Sequence, residues 1–164
     1  MTNLPSQSFN SNHNYFQFEA DFVGSLRCIP MQVRMKLDNC GVKLKLTHWN
    51  QFSHLERQAL VDMPCNTDAQ RQSYREFLQN LVVANTGQPA KELAIDPAPP
   101  WLDRDHIPQS VQTKAQESQV TISADQWSSL TPEQRFALIK LSRPSHENHN
   151  FIPALQEFGV LATT

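Results

Sequence analysis

An internal repeat limits the possible folds of this chain more than anything else in its sequence. When the sequence is shifted by 78 residues, Ile29–Met63 lies over Ile107–Leu141 without a gap. Because proline, tryptophan and helix-cap positions coincide, we interpret the segments as two copies of one supersecondary unit, with chance similarity between helical segments as the alternative. Nine of the 35 positions are identical: Ile29/Ile107, Pro30/Pro108, Val33/Val111, Lys36/Lys114, Val42/Val120, Trp49/Trp127, Arg57/Arg135, Ala59/Ala137 and Leu60/Leu138.

In both copies the first predicted element is a helix, helix A, followed by a short strand. Pro30 and Pro108 suit the first turn of a helix, where a missing N–H costs nothing and a fixed φ helps. Gly41 is a typical stop for helix A of the first copy. The segments VKLKL (42–46) and VTIS (120–123) then alternate apolar and polar residues, as half-buried strands do. We expect these strands to pair with each other as a minor two-stranded ribbon.

Helix B and helix C complete each copy. The sequences SHLE (53–56) and TPEQ (131–134) are capping boxes, in which the N-cap hydroxyl and the N3 side chain each accept a backbone N–H, and both predict the start of helix B. Helix C of the first copy is predicted to end at Gly87. Its counterpart has a cap-type Ser145, and Pro153 predicts a kink or a later start there.

These elements predict a mainly α fold, an internally duplicated helical domain. Only 4 glycines among 164 residues leave little material for tight β-turns, since the usual share is about 7%. The polar segment 1–15 is predicted to be a flexible tail. Residues 16–164 are predicted to form a single domain with one shared core, made of repeat 1 (about 29–87), a Pro-rich connection (88–106) and repeat 2 (about 107–161).

Charge and hydropathy argue against two classes of partner. The formal net charge is -2, so the overall basic balance expected of a dedicated nucleic-acid binder is missing. No apolar run approaches the length of a membrane span, and the N-terminus lacks the basic and apolar regions of a signal peptide. We therefore expect a cytoplasmic protein that binds neither nucleic acid nor membrane. Three cysteines without close spacing predict reduced thiols rather than a disulfide framework.

No catalytic, cofactor or metal site is predicted. The nucleophile elbow, the phosphate-binding glycine loops and the H-E-x-x-H zinc motif are all missing from the sequence. Cys28 aligns with His106, and the two could meet with His48 or His54, but a zinc site usually draws ligand pairs at short spacing. Small buried hydrophobes are the favoured interpretation of Cys28 and Cys40.

The segment from Arg27 to Lys45 is basic in the first copy alone. Five cations (Arg27, Arg34, Lys36, Lys43 and Lys45) stand there against one anion, Asp38, whereas the second copy keeps only the lysine aligned with Lys36. One interpretation is a solvated face, or a partner for the chain's own Asp103 and Asp105. The other is a docking surface for an acidic protein or a phosphate-bearing cofactor, with the arginines suited to bidentate contacts.

The segment FQFEADFVGSLRCIPMQVRMKLDNCGVKLKLTHW (16–49) resembles the cyanobacterial nitrate reductase-associated protein family. The likeness is densest over residues 16–60. The motif residues are Phe16, Phe18, Glu19, Asp21 and Phe22, then Leu26 to Met31, Lys36 to Gly41, and Trp49. The resemblance implies a small accessory protein needed for active assimilatory nitrate reductase, which carries a molybdopterin dinucleotide and an iron–sulfur cluster. It implies neither enzymatic activity nor a resident cofactor.

The expected partner is therefore the catalytic subunit of nitrate reductase, with a transient contact to its molybdopterin cofactor left open. The FQFEADF segment could add a strand to that partner or fold back on its own core. Cys28 and Cys40 both belong to the motif, so a thiol role also stays open. The alternatives are a structural subunit of the mature complex and a helical DNA-binding regulator. The predicted partner-binding residues are Glu19, Asp21, Arg27, Arg34, Lys36 and Lys43.

Overall fold

The computed structural model describes residues 15–144 and 148–162. The predicted tail, except Tyr15, and the predicted cap Ser145 lie outside these residues. The described part is mainly helical, which confirms the predicted class. The chain divides into two compact units between Asp96 and Pro97, inside the predicted connection 88–106. The single domain over 16–164 stays a prediction.

The first unit begins with short helical turns and contains both strands. The Ser53 hydroxyl accepts the backbone N–H of Glu56, so the capping box starts its helix as the sequence predicts, and Thr67 caps the next helix in the same way through the N–H of Gln70. The elements of this unit are a 3-10 helix Gln17–Glu19, α1 (Ala20–Val23), α2 (Met31–Cys40), β1 (Val42–Lys43), α3 (Leu46–Gln51), α4 (His54–Asp62), α5 (Asp68–Thr86) and β2 (Lys91–Glu92).

The core of the first unit surrounds Trp49, which is fully buried. The Trp49 indole N–H donates to the carbonyl of Leu26 over 2.7 Å, and the Tyr74 hydroxyl donates to the carbonyl of Leu60 over 2.7 Å. Both large aromatic side chains thus bury their rings without leaving a polar atom unpaired. This core holds the end of α2 and the strand that follows it.

The second unit is also built on a buried tryptophan. The Trp127 indole N–H donates to the carbonyl of Asp103 over 3.0 Å. Pro153 lies in the first turn of its helix, where no N–H is needed, so the helix begins just before it. The elements are a 3-10 helix Pro100–Leu102, α6 (Gln109–Glu117), α7 (Ala124–Ser129), α8 (Pro132–Leu141), a 3-10 helix Asn148–Asn150 and α9 (Phe151–Glu157).

Three helices of the second unit begin 78 residues after three helices of the first, the offset of the sequence repeat. The pairs are α2 with α6, α3 with α7, and α4 with α8. Backbone conformation also coincides where the first helix of each series ends, since φ is +77° at Gly41 and +60° at Gln119. A common origin of the two units stays a prediction.

The predicted ribbon exists, but its predicted pairing is wrong. β1 pairs antiparallel with β2, so Val42 lies opposite Glu92 and Lys43 lies opposite Lys91. Residues 120–123, all of them described, do not form a strand. The physical reason is a contact between segments far apart in sequence: the chain returns after α5 to the end of α2, where the Leu93 N–H donates to the Gly41 carbonyl over 2.8 Å. The backbone groups of β1 are thereby satisfied within the first unit.

Candidate functional site

The acidic motif that precedes α2 is folded into the first unit. Glu19 is only 2% exposed, and its Oε2 accepts the Met31 N–H over 2.7 Å while Oε1 accepts the Phe16 N–H over 3.2 Å. A carboxylate at this place accepts a backbone N–H that has no partner within α2, and the positive end of the helix dipole stabilises its negative charge. Residues 17–23 are helical and Phe22 is buried, so this segment folds back on its own unit instead of forming a strand. Asp21 lies within α1.

Two of the predicted docking cations are held by backbone carbonyls. Lys36 Nζ donates to the carbonyls of Val61 over 2.6 Å and of Met63 over 2.7 Å, at the end of α4. Burial lowers the pKa of Lys36, against the opposing charges of Cys65 and Asp62. Lys36 therefore caps the C-terminus of a helix.

Arg34 is tied to the loop that precedes its own helix. The side chain is half-buried, and its Nε donates to the Ile29 carbonyl over 3.2 Å. This contact fixes the guanidinium beside the start of α2. Arg27, by contrast, lies in the loop before α2 with an exposed side chain.

The two strands place a lysine pair on the outer face of the ribbon. Lys43 and Lys91 are directly opposite each other and both are exposed. Opposite residues of an antiparallel pair share a face, and their Cβ atoms are about 4.5–5.5 Å apart. The neighbouring pair includes Val42, which is fully buried, so the lysine pair faces outward. Lys45 follows two positions later and is also exposed. We call Lys43, Lys45 and Lys91 the lysine ribbon.

Like charges placed opposite each other destabilise a strand pair, so the lysine ribbon favours an incoming anion. Glu92 sits beside Lys91 in sequence, but it belongs to the pair on the other face and forms an ion pair with Arg75. The lysine ribbon is thus a local concentration of positive charge in a chain of formal net charge -2.

Asp103, one of the two acidic residues considered as partners for the basic segment, has its partners in the second unit. Asp103 accepts the backbone N–H of Asp105 over 2.9 Å and lies 3.0 Å from Nδ1 of His106. The backbone hydrogen bond from Asp105, and after it the contacts with His106, lower the pKa of the Asp103 carboxyl. These contacts form a local turn ahead of α6.

Cys40 and Cys65 lie at consecutive carbonyls of α2, since the Cys40 thiol donates to the Leu37 carbonyl over 3.7 Å and the Cys65 thiol donates to the Lys36 carbonyl over 3.8 Å. Both side chains are buried, whereas Cys28 is half-buried, and all three are free thiols. Interaction with the Cys65 thiol, then burial, raises the pKa of Cys40. Interaction with the Cys40 thiol lowers the pKa of Cys65 against burial, with further lowering by Lys36 and Arg71. Cys65 lies outside the motif that singled out the other two cysteines, so sequence reasoning missed it.

Within residues 15–144 and 148–162, no three His, Cys, Asp or Glu side chains are grouped so as to hold a metal ion. A cavity of about 220 Å³ in the second unit has no ionisable side chain in its lining. None of the helices in these ranges has both the length and the apolar character required to cross a bilayer. The cavity is lined by Ile107, Gln112, Ala115, Gln116, Val120, Thr121 and Ile122.

Fold and surface together define a small, mainly helical protein with a cationic ribbon on its first unit. A family model matches residues 15–158, and the chain belongs to the conserved nitrate reductase-associated protein family. This confirms the resemblance seen in the sequence, extends it over both units and associates the chain with nitrate reductase. No curated protein and no solved structure gives a significant match to the chain.

Proposed function

We propose that this protein is a non-catalytic accessory protein that binds the catalytic subunit of assimilatory nitrate reductase and is required for its maturation or activity. The family's association with nitrate reductase supports the choice of partner. The lysine ribbon carries the proposal, because an anionic partner that binds there reduces the repulsion between two opposed surface lysines.

The lysine ribbon acts through charge complementarity with an acidic patch on the catalytic subunit. Such complementarity raises the rate of encounter and fixes the orientation of the partners more than it adds affinity. Arg27 adds positive charge in the loop before α2. The phosphate groups of the molybdopterin cofactor are a second, transient target, met while the catalytic subunit receives that cofactor.

The proposed surface changes the set of residues that the sequence predicted to bind the partner. Lys43 keeps its place and is joined by Lys45, which follows β1, and by Lys91, which the connection supplies. Lys36 and Glu19 act inside the first unit, as helix caps. Their removal would weaken binding only indirectly, by loosening the unit that presents the ribbon.

Charge reversal tests the surface. The variant Lys43→Glu/Lys91→Glu is expected to weaken association with the catalytic subunit about tenfold or more, with the loss concentrated in the association rate and reduced at high salt. Lys114→Glu/Arg143→Glu changes the net charge of the chain equally on the second unit and is the matched control. Equal binding by the ribbon variant and the wild-type chain would overturn the assignment of the surface.

Co-expression tests the accessory role. Nitrate-reducing activity per mole of catalytic subunit is measured with and without this chain, after size exclusion. Higher activity with separate elution indicates a maturation factor, and higher activity with stoichiometric co-elution indicates a structural subunit. Unchanged activity at equal amounts of catalytic subunit would overturn the accessory proposal.

A further inference from the structure

A buried pair of thiols lies where α2 ends. Cys40 is the last residue of α2, and Cys65 lies in the loop between α4 and α5. They are 2% and 3% exposed. Sγ of Cys40 is 3.7 Å from the Leu37 carbonyl oxygen, and Sγ of Cys65 is 3.8 Å from the Lys36 carbonyl oxygen. The two thiols thus contact consecutive carbonyls of one helical turn, which places the sulfur atoms beside each other.

The surroundings of the two sulfur atoms are unequal. Together with the Cys40 thiol, the positive charges of the Lys36 ammonium and the Arg71 guanidinium lower the pKa of the Cys65 thiol. Both cations are fixed by backbone carbonyls, Lys36 by those at the end of α4 and Arg71 by that of Asn66 over 2.8 Å. A thiolate is the reactive form of cysteine, and nearby cations favour it. Cys65 is therefore the nucleophile of the pair, and Cys40, whose thiol donates to the Leu37 carbonyl, is the resolving thiol.

We propose that Cys40 and Cys65 form a redox-modification site, which a small peroxide converts into an intramolecular disulfide. The Cys65 thiolate attacks hydrogen peroxide, so that an S–O bond forms and the O–O bond breaks. The hydroxide released takes up the proton that the Cys65 thiol lost. Cys40 then attacks the Cys65 sulfenic sulfur, an S–S bond forms, the S–O bond breaks and water leaves. Two thiols and one peroxide give one disulfide and two waters.

The burial of the pair selects the class of oxidant. Hydrogen peroxide is close to water in size and is uncharged, so it needs only a small opening to reach Cys65. The neighbours Pro64, Asn66 and Thr67 are all exposed, which places Cys65 as the one buried side chain in an exposed stretch of loop. The peroxide reaches Cys65 through local opening of this loop rather than through unfolding of the whole unit. The inference does not depend on the proposed function.

The test uses the full chain with Cys28→Ser, which leaves only the two thiols of interest. After exposure to hydrogen peroxide, free thiols are blocked with a maleimide in denaturant and the intact mass is measured. We expect a mass lower by two hydrogens, no maleimide added, a Cys40–Cys65 linked peptide, and full reversal by dithiothreitol. Two free thiols, under conditions that oxidise a short cysteine peptide, would overturn the proposal. So would oxidation of Cys65 to sulfinic acid without a cross-link.

Two further variants in the same background test the roles of the sulfur atoms. With Cys40→Ser, a sulfenic acid is expected to accumulate at Cys65, where dimedone traps it. With Cys65→Ser, trapping at Cys40 is expected to be about tenfold slower or more. Equal trapping in both variants would overturn the assignment of Cys65 as nucleophile. Matched thermal transitions establish that both variants are folded; otherwise the dithiol measurement alone decides whether the disulfide forms.

Discussion

The ends of α2 and α6 adopt the same backbone conformation, but a neighbouring segment of the chain covers only the end of α2. Gly41 and Gln119 both have positive φ, 78 residues apart. Over Gly41 runs the segment that carries β2, and an added Cβ would meet the Leu93 carbonyl oxygen and Ile95 Cγ1 at 2.9 Å each. Gln119 carries an exposed side chain instead. The difference teaches that this turn conformation tolerates a side chain. In the first unit, glycine is necessary because the segment around Leu93 and Ile95 lies directly over the turn.

The aligned arginines differ in burial but make a related contact. Arg57 Nε donates to the Trp49 carbonyl over 3.1 Å, and Arg135 Nη1 donates to the Trp127 carbonyl over 3.4 Å. Arg135 is 2% exposed and also donates to the carbonyls of Trp101 and Leu130. Arg57 is half-buried, and its other bonds, to the carbonyls of Ser25, Leu26 and Asn50, are exposed or partly buried.

The largest expected effect is the difference between these arginines. Arg135→Met should lower the free energy of unfolding by about 2–4 kcal/mol, since it leaves buried carbonyls unpaired, whereas Arg57→Met should cost about 1 kcal/mol because water can replace its bonds. Urea unfolding followed by circular dichroism measures both. Equal losses would show that burial does not separate the two positions, and Arg143→Met is the exposed control.

The turn itself provides the second comparison. Gly41→Ala should destabilise the chain by about 2 kcal/mol, because the left-handed backbone is unfavourable for alanine and its Cβ meets the covering segment. Gln119→Gly should stabilise it by up to about 1 kcal/mol, since the strain is relieved and nothing need move. The same unfolding measurement applies. A Gly41→Ala variant as stable as the wild type would contradict the account of the covering segment.

The aligned lysines give the smallest expected difference. Lys36→Met should cost about 1–2 kcal/mol, because two bonds from an ammonium to helix-terminal carbonyls are lost. Lys114→Met is the matched control and should change the free energy of unfolding by less than about 0.5 kcal/mol. Similar losses in both variants would contradict the capping role of Lys36.

The lysine comparison also has a pH dependence. Burial lowers the pKa of Lys36 in the folded state, so the unfolded state binds more protons between that value and the ordinary value of 10.5. The stability that Lys36 adds is therefore greatest above pH 10.5 and falls as the pH falls through its lowered pKa. The gap between wild type and Lys36→Met should widen as the pH is raised towards 10.5. A gap that narrows instead would contradict the burial of the ammonium.

Prediction from sequence succeeded where the signal was local. The capping boxes at Ser53 and Thr131 and the stop at Gly41 depend on residues within one or two turns, and the structure has helix ends there. Prediction failed for the strand partner of β1. The alternation of apolar and polar residues shows that a segment suits a strand, but it does not show which segment lies beside it.

The site required contacts that sequence spacing does not show. Lys91 joins Lys43 because of the register of two strands almost 50 positions apart in sequence. Cys65 meets Cys40 because α4 and its loop return the chain to the end of α2. Glu19 had the appearance of a surface acid, yet it lies under the start of α2.

The amino-acid sequence by itself determined the helical class, the helix ends and the family of this protein, because caps, periodicity and motif residues act over short distances along the chain. Only the tertiary structure decided which charges face outward, which are used as caps and which thiols meet. Those outcomes depend on strand register and on loop closure, through which residues far apart in sequence replace contacts with water by contacts with each other.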